Sequence, residues 1–141
     1  MKYKIVADSS SSVLELEGIP YASVPLKIIS EEKEYVDDAN LNVFQMLEDF
    51  KRVSSPVTTS CPNVYDWKQA FEGADEVYAL SITSGMSGSY VAGRQAAADY
   101  MEEHEGTKVF MMDTLSVGPL MQKQAARFDW ELLLYYNITV L

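Results

Sequence analysis

The sequence predicts an α/β fold, with a mostly parallel sheet and helices on both of its faces. Three segments, residues 3–7, 76–82 and 108–112, are rich in apolar strand formers and end in turn residues. Helical patterns lie between these segments, and strands that alternate with helices form parallel sheets covered on both sides. The 141 residues, 48% of them hydrophobic, are enough for one domain with a sizeable core.

The first strand runs directly into the polar stretch Asp8-Ser9-Ser10-Ser11-Ser12, which we expect to be a loop or a helix cap. The next segment, residues 19–29, is also rich in strand formers, but Pro20 and Pro25 have no N–H to donate to a neighbouring strand. We therefore predict an edge strand there. A short strand at residues 34–36 is expected to pair with it.

The first helix is predicted at residues 42–53, where apolar side chains recur at helical spacing and should face the core. These side chains are Val43, Phe44, Met46, Leu47 and Phe50. Either Asn40 or Asn42 is suited to cap the start of the helix.

The second helix is predicted to open with Pro62 at its first helical position, which places Thr59 and Ser60 at its amino terminus. Val64, Trp67 and Phe71 would form its apolar face. The third helix is predicted at residues 90–103, which are rich in alanine, with Gly106 as the C′ residue that follows it.

The last segment, residues 128–141, is apolar but has no period long enough to distinguish a helix from a strand. We leave it as a tail and assign the α/β domain to residues 1–127. No run in the sequence approaches the roughly 18 consecutive apolar residues of a membrane span.

The charge balance is strongly acidic, with 21 Asp and Glu against 11 Lys and Arg. Nucleic acid and anionic membrane surfaces would be repelled by such a protein. An anionic ligand would therefore need local donors such as hydroxyls, backbone N–H groups or a helix amino terminus. The single cysteine, Cys61, cannot form an internal disulfide, and the chain starts without an apolar signal segment, so we expect a cytoplasmic protein.

Hydroxyl-rich loops are expected to meet at one edge of the predicted sheet. Three strands deliver residues 8–12, 83–89 and 113–114 to their carboxyl ends, where open α/β sheets bind ligands. Residues 58–62 open a helix and can reach the same edge. The combination suits a carboxylate or a phosphate, although Ser and Thr in any one such loop are more often simple helix caps.

Residues 85–90 complete none of three catalytic or nucleotide-binding motifs. No lysine follows Gly88, as a Walker loop requires, and a G-x-G-x-x-G spacing is absent. For the esterase motif G-x-S-x-G, the second glycine comes one residue early. The single histidine, His104, is expected on the surface near the carboxyl end of a helix, a helix length away from the strand ends.

Metal binding finds little support in the sequence. One Cys and one His cannot make a structural zinc site. Asp8, Asp37, Asp38 and Asp113 could gather around a hard cation, but no matching loop pattern is present. We therefore expect solvated loop carboxylates, and neither a metal nor a cofactor.

Six motifs resemble those of the DegV family in their order and approximate spacing, and together they cover about residues 3–120. They are Asp8-Ser9-Ser10, Val24-Pro25-Leu26, Tyr35-Val36-Asp37, Thr59-Ser60-x-Pro62, Ser84-Gly85-Met86-Ser87-Gly88-Ser89-Tyr90 and Asp113-Thr114. Each motif alone is weak, but six in register make a specific match.

The resemblance implies a bacterial fatty-acid-binding protein, the lipid-carrying subunit of fatty acid kinase, which is not itself an enzyme. It would present the acyl carboxylate to a separate kinase subunit. By motif, Thr59 and Ser87 resemble the two hydroxyl residues that hydrogen-bond the fatty-acid carboxylate, and Ser60 and Gly88 line the head-group site.

Three positions depart from the family pattern. Cys61 stands where the family usually has glutamine, Met86 where leucine is common and Ser89 where threonine is common. We interpret Cys61 as a small apolar wall residue rather than a reactive thiol.

The chain is also about half as long as DegV proteins, which use a second domain to cover the lipid. Either it is a fragment, or the residues after Phe128 replace this lid, for example through formation of a homodimer. Two other functions stay open: an anion- or phosphate-binding enzyme domain that uses Ser84, Ser87 or Asp113, and a truncated scaffold that binds nothing.

Overall fold

The computed structural model describes residues 2–126. The strands are β1 (Tyr3–Asp8), β2 (Tyr21–Val24), β3 (Lys27–Ile29), β4 (Glu34–Val36), β5 (Thr58–Ser60), β6 (Glu76–Ser81) and β7 (Lys108–Asp113). The helices are α1 (Val43–Phe50), α2 (Val64–Phe71), α3 (Ser89–Glu103) and α4 (Pro119–Ala126), and a short 3-10 helix, Ser9–Ser11, follows β1. None of the helices in this described part is long and apolar enough to cross a membrane. The predicted tail, residues 128–141, lies outside the described residues.

The main sheet consists of four parallel strands in the order β2-β1-β6-β7. Strand β1 is central, with Ile5 opposite Tyr21 on β2 and opposite Tyr78 on β6. Strand β6 pairs along its whole length with β7. The predicted α/β class is confirmed. The edge position predicted for residues 19–29 is confirmed for β2, which Pro20 and Pro25 flank, and is wrong for β3, which is the central strand of a second sheet.

Helices cover both faces of the main sheet, also as predicted. Successive side chains of a strand point to opposite faces, so Val6 and Val77 pack into the cluster formed with α2 and α3. On the other face, Ile5 and Leu80 pack against Met121 of α4. Helix α4 itself was not predicted, because its short sequence contributes only two buried side chains.

The larger core cluster lies between the sheet, α2 and α3. Trp67 and Phe71 of α2 are fully buried, and the Phe71 ring meets Tyr100 of α3 edge to face at 5.7 Å. Gly93 of α3 sits so close to β7 that an added Cβ would lie 2.4 Å from Cε of Met111. A larger residue at this position would therefore displace the end of the Met111 side chain and crowd Trp67.

Residues 19–29 form two strands rather than the single edge strand that we predicted. Pro25 lies in the break between β2 and β3, and β3 joins a separate antiparallel sheet of order β4-β3-β5. The predicted pairing of residues 34–36 with this segment is confirmed by β3 and β4. Thr58–Ser60, predicted as a loop, is instead strand β5 on the other side of β3, where β-branched threonines fit an extended backbone.

Helix α2 starts later than predicted. Asn63 is its N-cap and accepts a hydrogen bond from the Asp66 N–H (3.0 Å), while the Asp66 carboxylate accepts one from the Asn63 N–H (2.9 Å). This capping box fixes the start of the helix. Pro62 therefore precedes the cap, and the prediction that Thr59 and Ser60 lie at the helix start is wrong.

Helices α1 and α3 begin close to the predicted positions. Asn42 caps α1 by accepting a hydrogen bond from the Gln45 N–H (3.0 Å), as one of the two predicted caps. Helix α3 starts at Ser89 and ends in His104 as its C-cap. Gly106, at φ +87°, is the second residue after this cap, not the predicted C′ residue.

The predicted core face of α1 is wrong for most of its residues. Met46 is buried, but Phe44 is 85% exposed, and Val43 and Leu47 are each about half exposed. Phe50 is half-buried, with its ring edge to face against Tyr35 of β4 at 5.5 Å. Helix α1 is thus attached at one end to the small sheet, and its apolar face is open within the described residues.

Candidate functional site

Asp8 joins the segments that follow two neighbouring strands of the main sheet. Its Oδ2 accepts hydrogen bonds from the backbone N–H of Ile82 (2.9 Å) and from the hydroxyl of Ser89 (2.7 Å). Its Oδ1 accepts a hydrogen bond from the Ser10 hydroxyl. The predicted meeting of residues 8–12 and 83–89 at one edge of the sheet is therefore confirmed.

Asp8 is not the solvated loop carboxylate that we predicted. Strand β1 extends to include it, and the side chain is fully buried. Burial raises the pKa of Asp8, while the hydrogen bonds from Ser10, Ser89 and the backbone of Ile82 act in the opposite direction. The prediction failed because the depth of a strand end depends on the segments packed over it.

The segment after β6 is also tied to the end of β7. Oδ1 of Asp113 accepts hydrogen bonds from the backbone N–H groups of Ser84 (3.2 Å) and Leu115 (3.1 Å). Partial burial acts to raise the pKa of Asp113, but hydrogen bonds from Ser84 and Leu115 outweigh it and lower the pKa. The hydroxyl of Thr114 donates to the carbonyl of Ser81 (2.7 Å). The three predicted strand-end loops thus share one edge.

The segment after β5 reaches the same place through Cys61. A Cβ added to Gly88 would lie 3.4 Å from Sγ of Cys61, so the two residues are in contact. Thr59 and Ser60 directly precede Cys61 on β5, and Ser87 directly precedes Gly88. The structure therefore brings the two predicted head-group segments together.

The predicted site residues differ in how their polar groups are used. Thr59 is exposed, and its hydroxyl has no hydrogen-bond partner among residues 2–126. Ser60 is half-buried, and its hydroxyl donates to the carbonyl of Cys61 at a long 3.4 Å. Oγ of Ser87 accepts a hydrogen bond from the Ser89 N–H (3.2 Å), so its hydroxyl hydrogen remains available. Their roles toward a ligand stay predictions.

Gly88 is the N-cap of α3 and has no side chain to cap the helix, while Oγ of the preceding Ser87 accepts a hydrogen bond from the Ser89 N–H of the first turn (3.2 Å). No acidic residue lies in its first turn either. The N–H groups of a first helical turn have no partner inside the helix, and the helix dipole adds a partial positive charge there. The start of this 15-residue helix therefore suits an anionic group.

The single histidine, His104, lies far from this edge of the sheet. His104 lies at the far end of α3, roughly 22 Å away at 1.5 Å per residue, and its ring stacks on Tyr100 at 4.0 Å between centroids. It is exposed, as predicted. Across residues 2–126, no three His, Cys, Asp or Glu side chains form a group that could hold a metal ion.

Comparison with known proteins identifies the relatives of this chain. The DegV family matches residues 2–128. A DegV domain-containing protein of Streptococcus pneumoniae is 35% identical over 122 residues, which are 84% of this chain and 43% of the relative. A counterpart from Streptococcus pyogenes is 31% identical over 122 residues. The chain spans less than half the length of these curated relatives.

Solved structures with the same fold include proteins that hold fatty acids. A DegV family protein from Eubacterium eligens, loaded with heptadecanoic acid, has a TM-score of 0.87 and 33% identity, over 96% of this chain and 49% of that one. The fatty acid kinase (Fak) B3 protein of Streptococcus pneumoniae, loaded with linoleic acid, has a TM-score of 0.84 and 31% identity, over 96% of this chain and 52% of that one.

Proposed function

The chain belongs to the DegV family, and on this premise we propose that it binds a long-chain fatty acid by its carboxylate and presents it to a partner kinase. Two structural relatives were solved with heptadecanoic and linoleic acid, and one of them is a fatty acid kinase B3 protein. The observation that carries the proposal is the turn Ser87-Gly88, which lies at the start of α3 and contacts Cys61, the residue that follows β5.

In this proposal the fatty-acid carboxylate accepts hydrogen bonds from the hydroxyls of Thr59 and Ser87, with Ser60 and Gly88 lining the same site. Both donor hydroxyls have a hydrogen to give, because Thr59 is unpaired within residues 2–126 and Ser87 uses only its oxygen. Hydrogen bonds to a charged group contribute about 1.5–3 kcal/mol each. Local donors are needed because the chain carries a net charge of −10.

The acyl chain would add to binding through burial, at about 0.8 kcal/mol per CH₂ group. Apolar side chains are exposed beside the proposed head-group site, since Met86 in the same loop is 71% exposed and Leu115 after β7 is 78% exposed. Cys61 contacts Gly88, which supports its interpretation as an apolar wall residue. These side chains would contact the lipid or the part of the protein that covers it.

We assign residues 1–127 to the first α/β domain of a DegV protein, whose second domain would cover the lipid. The chain spans only 49% of the Eubacterium eligens protein, which supports this assignment. We also propose that the chain acts in the cytoplasm and leaves the phosphoryl transfer to a kinase. The single histidine is far from the site. The Asp113 carboxylate accepts hydrogen bonds from the backbone N–H groups of Ser84 and Leu115. Both observations support a role without catalysis.

The proposal is tested by native and denaturing mass spectrometry of protein purified from bacterial cells, followed by titration with palmitate. We expect wild type to carry a fatty acid. Thr59→Val and Ser87→Ala should each weaken palmitate binding about tenfold to 100-fold, because each removes one charge-assisted hydrogen bond.

Thr58→Val is the matched control for Thr59→Val. Thr58 and Thr59 are exposed neighbours on β5, and their side chains point to opposite faces of the strand. Thr58→Val should therefore bind palmitate like wild type. Wild type without lipid and without palmitate affinity would refute the function, and full affinity in the Thr59→Val, Ser87→Ala double variant would refute the site.

A further inference from the structure

A buried carboxylate lies next to the proposed head-group turn without being part of it. Asp8 is the last residue of β1 and is fully buried. Its side chain accepts no hydrogen bond from the four residues proposed to hold the ligand. Ser10, Ile82 and Ser89 donate hydrogen bonds to it, and they lie in three different segments of the chain. Burying such a group is unfavourable unless its hydrogen bonds are satisfied, and here they are.

One of these donors leads directly to the proposed site. Ser89 is the first residue of α3, is fully buried, and donates its hydroxyl to Oδ2 of Asp8 (2.7 Å). The backbone N–H of Ser89 in turn donates to Oγ of Ser87 (3.2 Å). Two hydrogen bonds therefore connect Asp8 to Ser87 through Ser89.

The direction of the second hydrogen bond matters for the ligand. Because Oγ of Ser87 accepts from the Ser89 N–H, the Ser87 hydroxyl hydrogen is not used in this bond and is free to donate. A shift of the first residue of α3 would change both this geometry and the position of the Gly88 N-cap. The bond from Ser89 to a carboxylate is charge-assisted, so it restrains that residue more strongly than a neutral acceptor would.

We propose that Asp8 is a positioning residue for carboxylate binding, which acts through Ser89 to hold the Ser87 hydroxyl and the start of α3 in place. This inference rests on the proposed function. Asp8 would not touch the fatty acid itself. It would determine how well the Ser87 hydroxyl and the start of α3 are oriented before the ligand binds.

The hydroxyl of residue 89 provides the first test. Ser89→Ala removes the donor to Asp8, and we expect it to weaken palmitate binding about tenfold, a loss equivalent to about 1.4 kcal/mol. Ser89→Thr keeps a hydroxyl at this position and should bind palmitate with the affinity of wild type. Asp8→Asn, Ser89→Ala should bind no more weakly than the worse single variant, because both changes interrupt one path.

Asp8→Asn tests whether palmitate binding becomes weaker or tighter when the carboxylate is replaced. Removal of a negative charge near an anion site would by itself strengthen binding of a carboxylate. Weaker palmitate binding by Asp8→Asn is the result expected from lost positioning, and unchanged or tighter binding contradicts the proposal.

Ser10→Ala separates positioning from a general structural role. It also removes a hydrogen bond to Asp8, but at Oδ1 and not on the path to Ser87. We expect this variant to be less stable to urea than wild type and yet to keep its palmitate affinity. If Ser10→Ala and Ser89→Ala lose affinity equally, Asp8 only stabilises the fold and the inference is wrong.

The experiment combines palmitate titration of the full chain with amide hydrogen exchange of the ligand-free protein, with folding checked by circular dichroism. Faster exchange at residues 87–89 in Ser89→Ala, but not in Ser89→Thr, is the expected result. Wild type that fails to bind palmitate refutes the proposed function, and this inference with it. Wild type that binds, beside Ser89→Ala and Asp8→Asn variants that bind equally well, refutes the inference alone.

Discussion

Helices α1 and α2 both carry apolar side chains at helical spacing, but they occupy opposite environments. Trp67 and Phe71 of α2 are fully buried between the main sheet and α3. On α1, Phe44 is 85% exposed and lines an open groove of about 510 Å³ together with Leu47. The same pattern in the sequence therefore accompanies a buried face in α2 and an exposed one in α1, where a core face was predicted.

An amphipathic pattern defines one face of a helix but not what covers that face. Helical spacing determines which side chains share a face, because 3.6 residues complete a turn. It does not determine whether another element packs on that face. Helix α2 has such a partner in α3. Helix α1 contacts the small sheet near its end, through Tyr35 with Phe50 and through Tyr35 and Lys33 with Asp49.

Among the variants that test the difference between α1 and α2, Trp67→Ala should have the largest effect. The side chain is fully buried in the larger core cluster, so its loss should leave a cavity and lower the free energy of unfolding by about 3–5 kcal/mol. Urea denaturation of the full chain measures this effect. Trp67→Phe is the matched control and should be less destabilising, because it retains an aromatic ring and removes an indole N–H that has no partner among the described residues. A loss below about 1 kcal/mol for Trp67→Ala would contradict the packing described for α2.

Gly93→Ala should have a smaller effect of the same sign. In an open helix, alanine is more favourable than glycine by about 1 kcal/mol. Here the new Cβ would lie 2.4 Å from Cε of Met111 and 3.2 Å from Cε2 of Trp67, and such overpacking costs about 1–3 kcal/mol. The same urea experiment checks it.

Gly93→Ala placed in a Met111→Ala background serves as the control for the close approach. The smaller side chain makes room for the new methyl group, so the alanine at position 93 should be less harmful than in the wild-type background. If Gly93→Ala stabilises the wild-type chain instead, the end of the Met111 side chain moves aside without cost and the predicted overpacking is wrong.

Phe44→Ala should have the smallest effect, a change of no more than about 0.5 kcal/mol in the free energy of unfolding, because an exposed side chain buries little area on folding. The free energy of unfolding should therefore fall much less in Phe44→Ala than in Trp67→Ala. A loss above about 1 kcal/mol would show that Phe44 is covered by something outside the described residues, and the difference between the two helices would then disappear.

Much of the main sheet was predictable from local patterns. Strands β1, β6 and β7 and helix α3 were placed to within one residue at most ends, because each combines a clear apolar pattern with turn residues. The start of α2 was misplaced because a capping box formed by Asn63 and Asp66 outweighed the preference of Pro62 for a first helical turn. Strand β5 was missed because three residues become a strand only by pairing with β3.

The candidate site was predictable in part, for a related reason. Parallel strands place their carboxyl ends at one edge, so the meeting of the hydroxyl loops followed from topology alone. The contact between Gly88 and Cys61 was not expected as such, and neither was the burial of Asp8. Nothing in the local sequence Asp8-Ser9-Ser10 distinguishes a buried carboxylate from a solvated one.

The α/β class, the succession of strands and helices along the chain, and the loops that carry hydroxyl groups follow from spacing and residue type within short segments. Tertiary contacts determine that the apolar face of α1 is open among residues 2–126 and that Asp8 is buried and paired. The hydrogen bonds of Asp8 to Ile82 and Ser89 join residues 74 and 81 positions apart, and burial depends on such distant contacts rather than on neighbours in the chain.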